Sequence, residues 1–124
     1  MLILVAAQKT LEALKKDGYT LDIFLLSQNK LQAINKQWRG KDAPTNVLSF
    51  AERDIPAKDL PKQLRDKKYL GEIYISPDFV HRHKQSVEHM TVHGALHLLG
   101  YDHITQKDAQ KMERAEQKIL AHFK

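Results

Sequence analysis

Apolar side chains at Leu2, Ile3, Ala6, Ala7, Leu11 and Leu14 recur every three to four residues, as on one face of a helix. The spacing predicts an amphipathic helix over residues 1–16, closed by Asp17-Gly18, with a short strand over Leu2 to Val5 as the alternative for its first turn. From Tyr19 to Leu26 the period shortens to two, with Leu21, Ile23 and Leu25 alternating, and predicts a strand. Ser27 then offers an N-cap. Leu31, Ile34, Asn35 and Trp38 fall on one side of the helix that follows, which Gly40 should end. Beyond a loop broken by Gly40 and Pro44, residues 47–50 form an apolar strand with one hydroxyl, Ser49. Residues 51–68 have two prolines, alternating charge and little apolar period, and read as a loop with room for a helical turn at Leu60 to Leu64. Tyr69 to Ser76 is a second alternating strand carrying Leu70, Ile73 and Ile75. Pro77-Asp78 opens a short helix containing Phe79 and Val80.

Two longer helices complete the chain. Ser86 caps the first, whose apolar surface is Met90, Val92, Leu96 and Leu99. Thr105 caps the second, from Gln106 to about His122, with Ala109, Met112, Ala115, Ile119 and Leu120 inward and Lys107, Lys111, Arg114 and Lys118 outward. This succession predicts a small α+β fold, one domain over residues 1–124, with a short mixed sheet of three or four strands packed by helices.

Composition narrows the function classes. The 124 residues include no cysteine, which removes disulfides and thiolate metal ligands and fits a reducing cytoplasm. The apolar opening Met1 to Ala7 is too short to span a bilayer, which takes about 20 residues, and has no basic leader, so a cytoplasmic protein without a membrane anchor is expected. A formal charge of +5 favours an anionic partner, nucleic acid first among them. Lys58, Lys62, Arg65, Lys67 and Lys68 form a basic flank that can touch RNA backbone or simply be solvated.

Chemistry concentrates in His93-Gly94-Ala95-Leu96-His97-Leu98-Leu99-Gly100-Tyr101-Asp102-His103. On a helix, His93 and His97 stand one turn apart on the same face. Gly100 lies where the helix should stop, and a reversal there can bring His103 back to them. Three imidazoles converging at the end of an H-x-x-x-H helix make a site for a divalent ion, most simply one Zn2+ per chain, with a fourth position open. His89 also shares that face but lies a further turn away, and is read as structural or cleft-lining. His81, His83 and His122 have no partner pattern and read as surface residues.

The frame H-x-x-x-H-x-x-G-x-x-H is also that of metzincin proteases, which carry a glutamate general base directly after the first histidine. Gly94 stands there instead. With that glycine and the Gly-Tyr-Asp-His tail, the stretch resembles the signature of the YbeY family, metal-dependent single-strand endoribonucleases of the bacterial cytoplasm. Two further blocks carry the resemblance. Asn35, Trp38, Arg39 and Thr45 to Phe50 stand where the family has a helix ending in an asparagine and an aromatic-arginine pair, then a Thr-Asp/Asn-Val-Leu-Ser-Phe strand. Leu70-Gly71-Glu72-Ile73 stands for the family's Leu-Gly-Asp/Glu-Ile. Two departures are visible: an initial strand before the first helix is missing or much reduced, and the segment between about His83 and Glu88 is trimmed.

The resemblance implies a catalytic Arg39 near the metal, where its guanidinium can grip a phosphate with paired hydrogen bonds. Lys41, Thr45, Asn46 and Ser49 can line the same cleft as substrate-binding groups, or Thr45, Asn46 and Ser49 serve as ordinary turn and strand-edge hydrogen bonders. Asp102 and Glu72 are candidates to orient ligand histidines, Asp102 alternatively anchoring its turn and Glu72 serving a structural hydrogen bond. The family further implies work on ribosomal RNA, chiefly maturation of the 3′ end of the small-subunit RNA, and ribosome quality control, beside the small subunit and its associated proteins. A monomer is expected. Two other readings stand: a metal-dependent hydrolase of another substrate, peptidases included, and a non-catalytic assembly factor with a structural metal.

Overall fold

The computed structural model describes residues 2–16, 18–52 and 68–121, with the side chains of residues 2–4 excepted. Outside it lie the turn expected at Leu60 to Leu64, the flank Lys58, Lys62, Arg65 and Lys67, His122, and the inward side chains of Leu2 and Ile3. The element order is α1 (Leu2–Ala13), β1 (Thr20–Leu25), α2 (Gln28–Arg39), β2 (Val47–Ala51), β3 (Tyr69–Ile75), α3 (Pro77–Arg82), α4 (Val87–Leu98) and α5 (Gln106–Ala121). The N-terminal segment is helical from Leu2, so the alternative of a short strand there does not form.

Ser27, Ser86 and Thr105 cap the helices as expected, and Ser76 adds a cap not foreseen. Ser27, Ser76 and Ser86 each accept a backbone N–H three residues on, and Thr105 accepts from Asp108. Gly40 ends α2 in the left-handed conformation.

The sheet has three strands in the order β1-β3-β2, β1 parallel and β2 antiparallel to the central β3. Alternation along β3 turns Gly71, Ile73 and Ile75 to the interior and leaves Glu72 and Tyr74 on the other face. On that outer face Phe24 stacks on Tyr74 at 5.0 Å between ring centroids, and Phe50 meets Tyr74 edge-on at 5.8 Å.

Helix α4 is the centre of the molecule. One side packs on the sheet in a cluster joining Met90, Ala95 and Leu98 to Ile73, Ile75, Val80 and Ala51. Its other side, Val92 and Leu96, packs with Ala6 of α1 and Met112 and Ile119 of α5. Gly94 lets the helix approach the sheet: a Cβ there would lie 2.9 Å from Cγ2 of Ile73, itself fully buried. Two sequence expectations need correction. Leu99 is only half-buried, Ala95 and Leu98 taking the interior instead. Trp38, expected on the packed side of α2, is 67% exposed although Leu31 on nearly the same azimuth is fully buried, because the end of α2 overhangs the core. No helix among the described residues is long and apolar enough to cross a membrane.

Candidate metal centre and cleft

With both flanks of α4 buried, its third side carries His93 and His97 to the surface of a cleft. The helix closes in a Schellman motif: Tyr101 N–H donates to the Leu96 carbonyl and Gly100 N–H to that of His97, each at 3.0 Å. Gly100 takes φ +100°, a conformation that side-chain-bearing residues rarely adopt, and Tyr101 packs back into the cluster that holds Leu96. The reversal brings His103 over the helical pair, its ring centroid 5.2 Å from that of His97 and 6.0 Å from that of His93. One ligand atom from each of the three histidines lies within 4.8 Å of the others.

Protons on the two helical imidazoles are placed by their acceptors. Nδ1 of His93 lies 2.6 Å from Oε1 of Glu116 on α5, and Nδ1 of His97 lies 3.0 Å from the carbonyl of Tyr101. A carboxylate and a carbonyl can only accept, so both Nδ1 atoms carry a proton and Nε2 is the nitrogen each ring has to offer a metal. These two Nε2 atoms face each other at 3.1 Å. Two nitrogens at about 2.0–2.1 Å from one tetrahedral ion sit roughly 3.3 Å apart, close to this separation. The donor set therefore fits a divalent metal: three imidazoles, two of them oriented through Nδ1 by an acceptor, and no thiolate.

Electrostatics favour the neutral form of His97. Burial, and then the neighbouring His93 and His103, lower the pKa of His97 and keep it neutral. Burial alone would raise the Glu116 carboxyl, but hydrogen bonds from His89 and His93 override it and hold it down to about 2. His89 Nε2 sits 3.0 Å from Oε2 of Glu116, a contact that raises its own pKa against the opposing effect of burial. Glu116 thus clasps α4 to α5 through two histidines one turn apart.

The sequence reading missed Glu116. Its signal was available: position 116 lies four after Met112 and three before Ile119, a charge set within the apolar stripe of α5. Glu72 and Asp102 take the alternative roles the sequence left open for them. Glu72 is on the sheet face turned away from α4 and accepts the hydroxyl of Tyr74, so it does not orient a histidine on that helix. Asp102 accepts the Ile104 N–H at 3.1 Å, which anchors the turn around His103.

Arg39 forms part of the opposite wall. Its Nη2 donates to the Ser49 carbonyl at 2.7 Å and the guanidinium lies 5.1 Å from the Phe50 ring centroid, which fixes it while leaving other N–H groups toward the cleft. The open cleft, about 1040 Å³, brings Arg39, Lys41, Thr45, Asn46 and Ser49 together with His93, His97 and His103. Asn46 is already employed: Oδ1 accepts the Val47 N–H at 2.7 Å, and Nδ2 reaches Gln85 Oε1 and Met90 Sδ, both at 3.1 Å. It ties β2 to the start of α4, so its side chain is structural before it is anything else.

Comparison with known proteins adds a family. A family model described as Endoribonuclease YbeY matches residues 2–124. A protein named Endoribonuclease YbeY from Vesicomyosocius okutanii is 44% identical, the match covering 92% of this chain and 79% of that protein. One of the same name from Sinorhizobium medicae is 35% identical, over 94% of this chain and 71% of its own length. A solution structure of a Thermotoga maritima protein superposes with a TM-score of 0.57 at 25% identity, covering 98% of this chain and 83% of that one.

Proposed function

The chain belongs to the endoribonuclease YbeY family, and from that premise we propose that it is a metal-dependent endoribonuclease specific for single strands. The observation that carries the reading is the pair of Nε2 atoms 3.1 Å apart, both Nδ1 protons spoken for, in a cleft shared with a fixed guanidinium. His93, His97 and His103 would hold one ion, Zn2+ being the ion best matched to three neutral imidazoles. When bound, such an ion supplies Lewis acidity toward a phosphoryl oxygen and lowers the pKa of water beside it.

The chain's own residues supply the rest. Arg39, held by the Ser49 carbonyl and the Phe50 ring, grips a non-bridging phosphate oxygen and steadies charge as it develops there. Lys41 and Ser49 line the path of the strand, and Lys41 adds a point charge for an adjacent phosphate. Glu116 and the Tyr101 carbonyl keep the helical imidazoles in one tautomer through the reaction.

The substrate we propose is ribosomal RNA, with the 3′ end of the small-subunit RNA as the processed site and ribosome quality control as the wider role. The protein would work in the cytoplasm beside the small subunit, as a monomer and as one domain over residues 1–124. A peptidase reading is disfavoured by Gly94, because a side chain at that position is driven into Ile73 and the interior.

The test is cleavage of a single-stranded RNA, with metal content measured on the same preparations. Wild type should cut RNA and leave casein intact, and chelation should abolish cutting. Arg39→Ala should retain its metal and lose about 10²–10³-fold in rate, with Arg39→Lys recovering little. Full activity in the chelated protein or in Arg39→Ala would refute the proposal.

A further inference from the structure

Trp38 is the single tryptophan of the chain, and its indole is 67% exposed. At about 100° per residue, the seven residues from Leu31 to Trp38 make roughly two turns, so both side chains leave α2 in nearly the same direction. Leu31 is completely buried. One helix face is thus sealed at its beginning and open at its end. The open end is where Asn35 and Arg39 line the cleft. Among the residues lining that cleft, Ile104, 87% exposed and next to His103, presents a second large apolar side chain to solvent. Ile104 lines a cleft that also holds Arg39 and Lys41, and Trp38 lies on α2 between the cleft-lining Asn35 and Arg39, on a chain of net charge +5.

An exposed aromatic ring one residue along the helix from a cationic, cleft-lining group matches the chemistry of an unpaired nucleotide, whose base stacks while its phosphate pairs with the cation. A paired base offers no free face, since its neighbours in the duplex cover both sides.

Resting on the nuclease reading above, we infer that Trp38 stacks on a base flanking the phosphate held by Arg39, and that this contact makes the enzyme prefer unpaired RNA. Ile104 closes on the strand beside His103. Trp38 is a positioning residue, and the ligand it takes is a single-stranded segment of RNA.

Because Trp38 is the only tryptophan, its fluorescence reports on this contact alone. The probe is a short single-stranded 2′-O-methyl oligonucleotide, which the protein binds without turnover. Saturating binding should quench the indole, one abasic position in a walked series should remove the quench, and the matching duplex should not quench. In cleavage assays Trp38→Ala should raise KM between ~5- and ~100-fold with kcat little changed, and narrow the preference for single strands over duplex. Trp38→Phe should recover most of the loss, and both variants should melt as wild type does.

Cleavage by wild type with no quench from any probe, or an unchanged KM in Trp38→Ala, would overturn the inference and leave the nuclease reading standing. Such a result would give the exposed indole to a protein partner instead. A wild type that neither binds nor cuts RNA overturns both.

Discussion

Replacing the Glu116 carboxylate by an amide of the same shape isolates what holds His93. The variant Glu116→Gln should keep its fold and bind metal about 10- to 100-fold more weakly, read by competition with a chelating dye. Its stability should differ from wild type in a pH-dependent way. Glu116 has its pKa lowered to about 2 from 4.5, so its contribution is present above about 4.5 and is lost as pH falls toward 2. His89 has its pKa raised above 6.5, so its share is present below 6.5 and is lost as pH rises through the folded value. For metal-free protein the gap between wild type and Glu116→Gln in denaturant unfolding should be widest between about pH 4.5 and 6.5. A gap that does not vary with pH would argue against the clasp. At this scale the histidines and Arg39 were legible because spacing and motif place them. For Glu72 and Asp102 the sequence left two roles open, and the structure takes the hydrogen-bonding one for Glu72 and the turn-anchoring one for Asp102. One step along β3, from Ile73 to Glu72, crosses the sheet.

Gly94 matters to α4 as an element, since its missing side chain sets how near the helix lies to β3. A glycine inside a helix costs about 1 kcal/mol in propensity, so Gly94→Ala would stabilise an isolated helix. Here the added methyl meets Ile73 Cγ2 at 2.9 Å, and that buried branched side chain cannot swing away. The clash should cost about 1–3 kcal/mol and outweigh the propensity gain, lowering the midpoint of thermal unfolding. Combined with Ile73→Ala, the new methyl occupies part of the vacated space, so the double variant should lose less than the sum of the single ones. The elements themselves were largely legible, down to serine caps and the Gly100 turn, because those signals are local. What α4 does was not. A helix enclosed on two sides shows no clean apolar stripe, and nothing local to Trp38 reveals that α2 outruns the core.

On the scale of the whole molecule, the two buried clusters contain none of the three histidines, which sit at the cleft with His103 exposed. Removing the metal should therefore lower the melting temperature only by the linkage effect of a lost ligand. The metal-free protein, and His97→Ala, should stay folded by circular dichroism. Collapse of either would support a structural role for the metal. The overall α+β class was readable from the order of periods, whereas the strand order β1-β3-β2 was not, since pairing depends on residues far apart in the chain. Both clusters draw on α4, Ala95 and Leu98 for one, Val92 and Leu96 for the other, so they cannot come apart separately. Calorimetry should then record a single two-state transition rather than two steps. A copy that begins to melt would scatter the three histidines in the same event, so no partly unfolded form would persist with the cleft still assembled.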